Sequence, residues 1–235
     1  MTLIPFWIDP NTLNRTTTMV WARVPSIAPG TSSLFVYYGS AAPPGAPSDF
    51  DGTFIASVTD PRFLIPTASS PWTRSGPTNG AVLEGAAVGT PCAVNGEPCA
   101  NIMISRDLNP DGDTVQFCQA ATFPVPPLGS PLDSGYKITF DALVLGVTRG
   151  SASMTVGNPN GPLYSATTAG PRSEITVGPI SPAPSVPLCV RASVEGATGA
   201  GQSQQAWVQF FALKVRRHVT PEPISGAPGG EESCP

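Results

Sequence analysis

Apolar and polar residues alternate along this chain with a period of two rather than 3.6, in short runs bounded by Pro, Gly, Asn and Asp. Residues 18–25 (TMVWARVP) and 33–39 (SLFVYYG) are β-branched and aromatic, with Pro29-Gly30-Thr31 as a turn signal between them. That pair predicts an antiparallel hairpin. Further strands are predicted over 80–84, 101–105, 114–123, 136–145, 151–156, 172–177, 188–194 and 206–216. Short strands separated by turn residues predict an all-β chain, an antiparallel β-sandwich. Residues 41–48, rich in Pro and Ala, read as a linker.

Composition sharpens this picture. With 29 Pro and 24 Gly in 235 residues, long helices, coiled coils and helical repeats are excluded. The 40% apolar content still suffices for a core, and a chain this long buries roughly 70% of its unfolded surface. Charged residues make up only 12%, with a net charge of −4 and a pI near 4.9. Lys214, Arg216 and Arg217 form the one basic knot, too small to hold a nucleic acid by counterion release. No window approaches 18 uninterrupted apolar residues, so no membrane insertion is expected. The start lacks the pattern of a signal peptide, and the export signal is expected to be absent from this fragment.

Five cysteines, Cys92, Cys99, Cys118, Cys189 and Cys234, in a chain poor in charge point to an exported, disulfide-bonded protein. Two bridges with one thiol left over can be drawn in fifteen ways, and sequence does not choose among them. Cys92 and Cys99 flank a turn-rich stretch, which makes a local bridge the simplest pairing and leaves Cys118 and Cys189 in strand-like runs. Zinc is the rival use, but there is no C-x-x-C and His218 is the single histidine. Residues 107–113 (DLNPDGD) place Asp107, Asn109, Asp111 and Asp113 on alternate positions with Gly112 for a tight turn. Such oxygens can converge on a structural calcium, although Cys118 stands where an EF-hand needs Glu. The alternative is a polar hairpin loop built on Asx turns. A His-based triad has no support, since no G-x-S-x-G exists and His218 lies near the tail. Sixteen acids leave a glycosidase carboxylate pair open, but they are scattered in turn-like contexts, so catalysis is not expected.

Two resemblances extend the reading. Residues 4–8 (IPFWI), 18–27 (TMVWARVPSI), 34–40 (LFVYYGS) and 50–54 (FDGTF) resemble the C-terminal half of domain of unknown function 2341. That family is a small β-rich module of bacterial and archaeal surface proteins, often found beside sugar-binding-type sandwiches. Its Trp-Val-x-Val-Pro element stands here as Trp21-Ala22-Arg23-Val24-Pro25. The family's N-terminal strands are not present, which implies a fragment or a misassigned start. Residues 213–223 (LKVRRHVTPEP) look like the exit of the sandwich that follows such a module. Over 55–220, the order of residues 72–76 (WTRSG), 79–84 (NGAVLE), 117–126 (FCQAATFPVP), 136–142 (YKITFDA) and 207–215 (WVQFFALKV) is similar to the galactose-binding-like jelly roll. The resemblance implies a core role for Trp72 and the Gln119 strand, and a fold shared by many carbohydrate-binding modules.

The expected organisation is a partial β module over 1–54, a jelly-roll β-sandwich over 55–220 and a flexible tail over 221–235. The expected function is non-catalytic binding of a polysaccharide or glycan, outside the cell or on a bacterial surface. Sugar rings stack on Trp or Tyr and take hydrogen bonds from amides, which singles out Tyr164, Trp207, Gln204, Gln205 and Asn160. Core packing is the competing use of each aromatic. The competing function is a structural or adhesive subunit working through contacts with other surface-protein subunits.

Overall fold

The computed structural model describes residues 4–9, 18–24, 33–34, 48–76, 87–92, 97–107, 112–124, 133–157, 162–181, 185–196 and 203–219. The chain divides into two compact units, one of Met1–Ile55 with Glu222–Pro235 and one of Ala56–Pro221. The tail expected at 221–235 lies outside the described residues.

In the first unit β1 (Phe6–Ile8) pairs antiparallel with β2 (Val20–Ala22), Trp7 lying opposite Trp21. The sequence paired 18–25 with 33–39 instead, and residues 35–39 and the Pro29-Gly30-Thr31 turn lie outside the described residues. A one-turn helix α1 (Phe50–Thr53) starts at Asp49, whose Oδ1 accepts the Gly52 N–H at 2.9 Å. Trp7 packs edge-on against Phe50 and Phe54, with centroids 5.2 and 5.8 Å away, and Trp21 meets Phe54 at 5.6 Å. The aromatics of the IPFWI, TMVWARVP and FDGTF segments therefore make one small core.

The second unit is all β. One sheet has the order β10 (Gly170–Ile180), β7 (Asp133–Thr148), β12 (Ser203–Val219), β5 (Pro98–Asp107), β4 (Ala87–Pro91). The other has the order β3 (Thr73–Ser75), β6 (Asp113–Thr122), β11 (Ser185–Val194), β8 (Gly150–Val156), β9 (Tyr164–Ala166). Every pairing is antiparallel. The two sheets form an antiparallel β-sandwich, and period-two alternation supplies its interior. Ile102 and Ile104, Val115 and Phe117, Val190 and Ala192, and Val208 and Phe210 are all wholly buried. Burial of the Val, Ile and Phe side chains among them contributes about 1.5–3 kcal/mol each. Tyr164 joins the layers, its ring 5.5 Å from Phe140 and 6.3 Å from Phe210.

Trp72 has the core role that the resemblance implied: it is buried against Phe63, and its Nε1 donates to the Asp60 carbonyl at 3.1 Å. Eight predicted strands fall on this sandwich or just outside its description. Residues 80–84 lie outside the described residues, and the other seven fall on β5, β6, β7, β8, β10, β11 and β12, with only Phe123 beyond the end of its strand. Sequence missed β3 and β9, three residues each, and β4, whose segment includes Gly89 and Pro91. Cys92 is bonded to Cys99, and Cys118 to Cys189 across the paired strands β6 and β11.

Candidate functional site

The first half of β12 alternates strictly. Ala206, Val208 and Phe210 point into the sandwich and are wholly buried, so Gln205, Trp207 and Gln209 share its outer face. Register sets Ser105, Met103 and Asn101 of β5 beside them in that order. On the other side Gly146 of β7 lies opposite Trp207, and the register shifts between this pair and the next, Val208 with Val144. A bulge of this kind re-aims side chains locally.

Trp207 leans toward β5, where its Nε1 donates to Asn101 Oδ1 at 2.8 Å. Gln209 Nε2 donates to the same oxygen at 3.4 Å. Sharing that oxygen leaves the Asn101 amide N–H groups for another partner. Gln209 Oε1 is buried and accepts no hydrogen bond. Beside the indole, a Cβ added at Gly146 would meet only the Gln205 amide, with Oε1 at 3.6 Å. On its β7 side the half-buried Trp207 ring therefore has Gly146, which carries no side chain, with the Gln205 amide over it.

Next to this patch the same face is closed by a satellite core of Cys92, Cys99, Leu143 and Phe211. Arg172 on edge strand β10 stacks on Phe211, its guanidinium carbon 3.9 Å from the ring centroid. It also donates to Asp141 Oδ2, from Nη2 at 2.6 Å and Nε at 3.0 Å, and pairs with Glu97. Glu97 immediately precedes β5, so this contact reaches over β12 and β7. Burial alone would lower the Arg172 guanidinium, but the hydrogen bonds and charges of Glu97 and Asp141 leave it above its ordinary value. Both carboxylates are thus engaged as ion-pair partners. Lys214, buried in the same sheet, pairs with Glu174 at 2.8 Å.

The structure separates the residues singled out by sequence. Trp207 and Gln205 share the outer face. Gln204, one residue away and wholly buried, points inward, with neither amide atom hydrogen-bonded. Tyr164 is half-buried with its ring against Phe140 and Phe210, and burial raises its phenol above the ordinary value. Asn160 lies outside the described residues. Asn101, Gly146 and Gln209 were not singled out. Parity along 205–209 could have found Gln209, whereas Asn101 is 106 residues from Trp207 and needs the strand order.

Of the calcium set, Asn109 and Asp111 lie outside the described residues, as does the side chain of Asp107, whose backbone ends β5. Asp113 opens β6, and its Oδ1 accepts the Thr114 N–H at 3.2 Å. Among the described residues no three His, Cys, Asp or Glu side chains converge as a metal site would need.

Residues 1–57 match the family described as Domain of unknown function (DUF2341). This agrees with the resemblance read in the Trp7, Trp21 and Phe50 segments. No curated protein matches the chain. Seven chains of known structure do. One is the enzymatically active domain of tailspike protein 4 of bacteriophage CBA120, with a TM-score of 0.41 and 12% identity. The alignment covers 68% of this chain and 21% of that one, so this chain spans about a fifth of the tailspike domain's length.

Proposed function

We propose that this protein is a non-catalytic glycan-binding module, exported to the outside or surface of a bacterial cell. Its binding site is the outer face around Trp207. The supporting observation is the indole set beside Gly146, with Asn101, Gln205 and Gln209 as its amide neighbours. A pyranose stacks its C–H face on an indole while its hydroxyls donate and accept. Asn101 supplies donors, and the Gln205 amide both a donor and an acceptor. The two disulfides suit an oxidising compartment. The likeness to galactose-binding-like jelly rolls belongs to this proposal, as does a structural calcium held by Asp107, Asn109, Asp111 and Asp113.

The test is a screen of the oxidised protein against soluble glycans and insoluble polysaccharides, with calcium and again with chelator. At least one neutral glycan binds, and Trp207→Ala, with its circular dichroism unchanged, weakens that binding by about tenfold or more. Failure of the wild type to bind any of them defeats the reading. Melting temperature should rise with calcium and fall with chelator, and Asp111→Ala should abolish the difference.

A second reading has its own support. Met19, Val20 and Val24 around β2 are 38%, 43% and 42% exposed, apolar side chains that suit contacts with another protein. A structural or adhesive subunit would use these side chains. Concentration-dependent association lost in Val20→Ser would favour it.

A further inference from the structure

The bulge beside the indole places a second residue on the outer face. Gly146 lies opposite Trp207 and Val144 opposite Val208, so Leu145 is the extra residue between them. Leu145 packs against the satellite core of Cys92, Cys99, Leu143 and Phe211, which puts its side chain on the same face as that core. On the β5 side the register sets Met103 directly across from Trp207. Ile102 and Ile104 on either side of Met103 are wholly buried, so Met103 also points outward. Met103, Trp207 and Leu145 therefore make an apolar row across β5, β12 and β7, each of them half-buried.

Amides border this row. Asn101, two residues from Met103 on β5, gives its oxygen to the N–H groups of Trp207 and Gln209. What it offers a ligand is its own N–H groups, donors standing next to apolar surface. The Gln205 amide, over Gly146, keeps both a donor and an acceptor. Met103, Trp207, Leu145, Asn101 and Gln205 carry no formal charge, so the row favours a neutral group over a carboxylate.

The row extends over two strand spacings, about 10 Å, more than the C–H face of one sugar ring covers. A ligand that fills it brings a further apolar group next to a hydrogen-bond acceptor. A hydroxyl is an acceptor without the apolar group, whereas an N-acetyl group has a methyl and a carbonyl oxygen on the same carbon. We propose that the Trp207 face selects glycans built of N-acetylated amino sugars, an inference that rests on the glycan-binding reading of that face. The sugar ring stacks on the indole, the acetyl methyl lies on Met103, and the acetyl carbonyl accepts a hydrogen bond from Asn101 Nδ2. Leu145 extends the platform under the far edge of the ring, where the Gln205 amide meets the ring hydroxyls.

The test compares three β-1,4-linked hexamers, of N-acetylglucosamine, glucosamine and glucose, by titration calorimetry with the oxidised full chain. They share a backbone and differ only in the group on carbon 2. Wild type binds the acetylated hexamer about tenfold or more tightly than either of the others. Asn101→Asp keeps an oxygen for the indole N–H but removes the amide donor, and lowers affinity for the acetylated hexamer about tenfold. Met103→Ser removes the apolar surface outside the sandwich interior and reduces the preference for the acetylated hexamer several-fold, which keeps the test alive if Asn101→Asp fails to fold. The inference is overturned if wild type binds the acetylated hexamer no more tightly than the glucose hexamer, or if a folded Asn101→Asp or Met103→Ser keeps the full preference. A wild type that binds another glycan through Trp207 but not the acetylated hexamer overturns this inference alone. One that binds no glycan at all overturns the reading of the face as well.

Discussion

Single methyl groups are decisive where backbone or a carboxylate fills the space above a glycine. A Cβ on Gly52 would lie 2.1 Å from Asp49 Oδ2, the carboxylate that caps α1. Gly52→Ala should therefore lose the cap and cost about 1 kcal/mol, read from the unfolding of the first unit. At the β7–β8 turn, a Cβ on Gly150 would lie 2.4 Å from the Ser193 carbonyl, which belongs to a paired strand and cannot swing aside. Gly150→Ala should destabilise the sandwich by about 1–3 kcal/mol in urea unfolding. Tyr164 gives a prediction in pH. Its phenol is raised by burial, so the unfolded chain ionises first as pH climbs. Stability from this group is complete below about pH 10 and falls as pH rises beyond it. Tyr164→Phe should flatten that alkaline part of the stability curve.

At the level of strands, the ion pair from Glu97 to Arg172 ties the start of β5 to β10 across the two strands between them. Glu97→Gln removes one of two carboxylates and should cost about 1 kcal/mol. Arg172→Met leaves Asp141, mostly buried, without its cation and should cost more, about 2–3 kcal/mol by thermal unfolding. Such ties are invisible in sequence because their partners are 75 and 31 residues apart. The strands themselves were legible wherever alternation ran for five or more residues, as in β6, β7, β11 and β12. Three-residue edges such as β3 and β9 carry too little pattern to register. The site was half legible for the same reason. Trp207 and Gln205 stood out by type, yet the opposite facing of Gln204 follows only once the parity of β12 is fixed by Ala206, Val208 and Phe210. Nothing local to residue 164 announces that its ring closes over Phe140 and Phe210.

Across the whole molecule the two disulfides contribute unequally. Cys92 and Cys99 are 7 residues apart and Cys118 and Cys189 are 71 apart. The loop-closure argument assigns them about 2 and about 4 kcal/mol respectively. Replacing Cys118 and Cys189 by Ala should therefore lower the urea midpoint more than the same change at Cys92 and Cys99. The longer bridge has a mechanical consequence as well. It joins β6 to β11 near the middle of their pairing, so the chain between them cannot lengthen under tension while the bond stands. Pulled from its ends, the oxidised protein should reach a contour length about 240 Å shorter than the fully reduced one on account of this bridge alone. Under tension that difference is a built-in stop: β6 and β11 could be dragged, but the segment they enclose would not pay out.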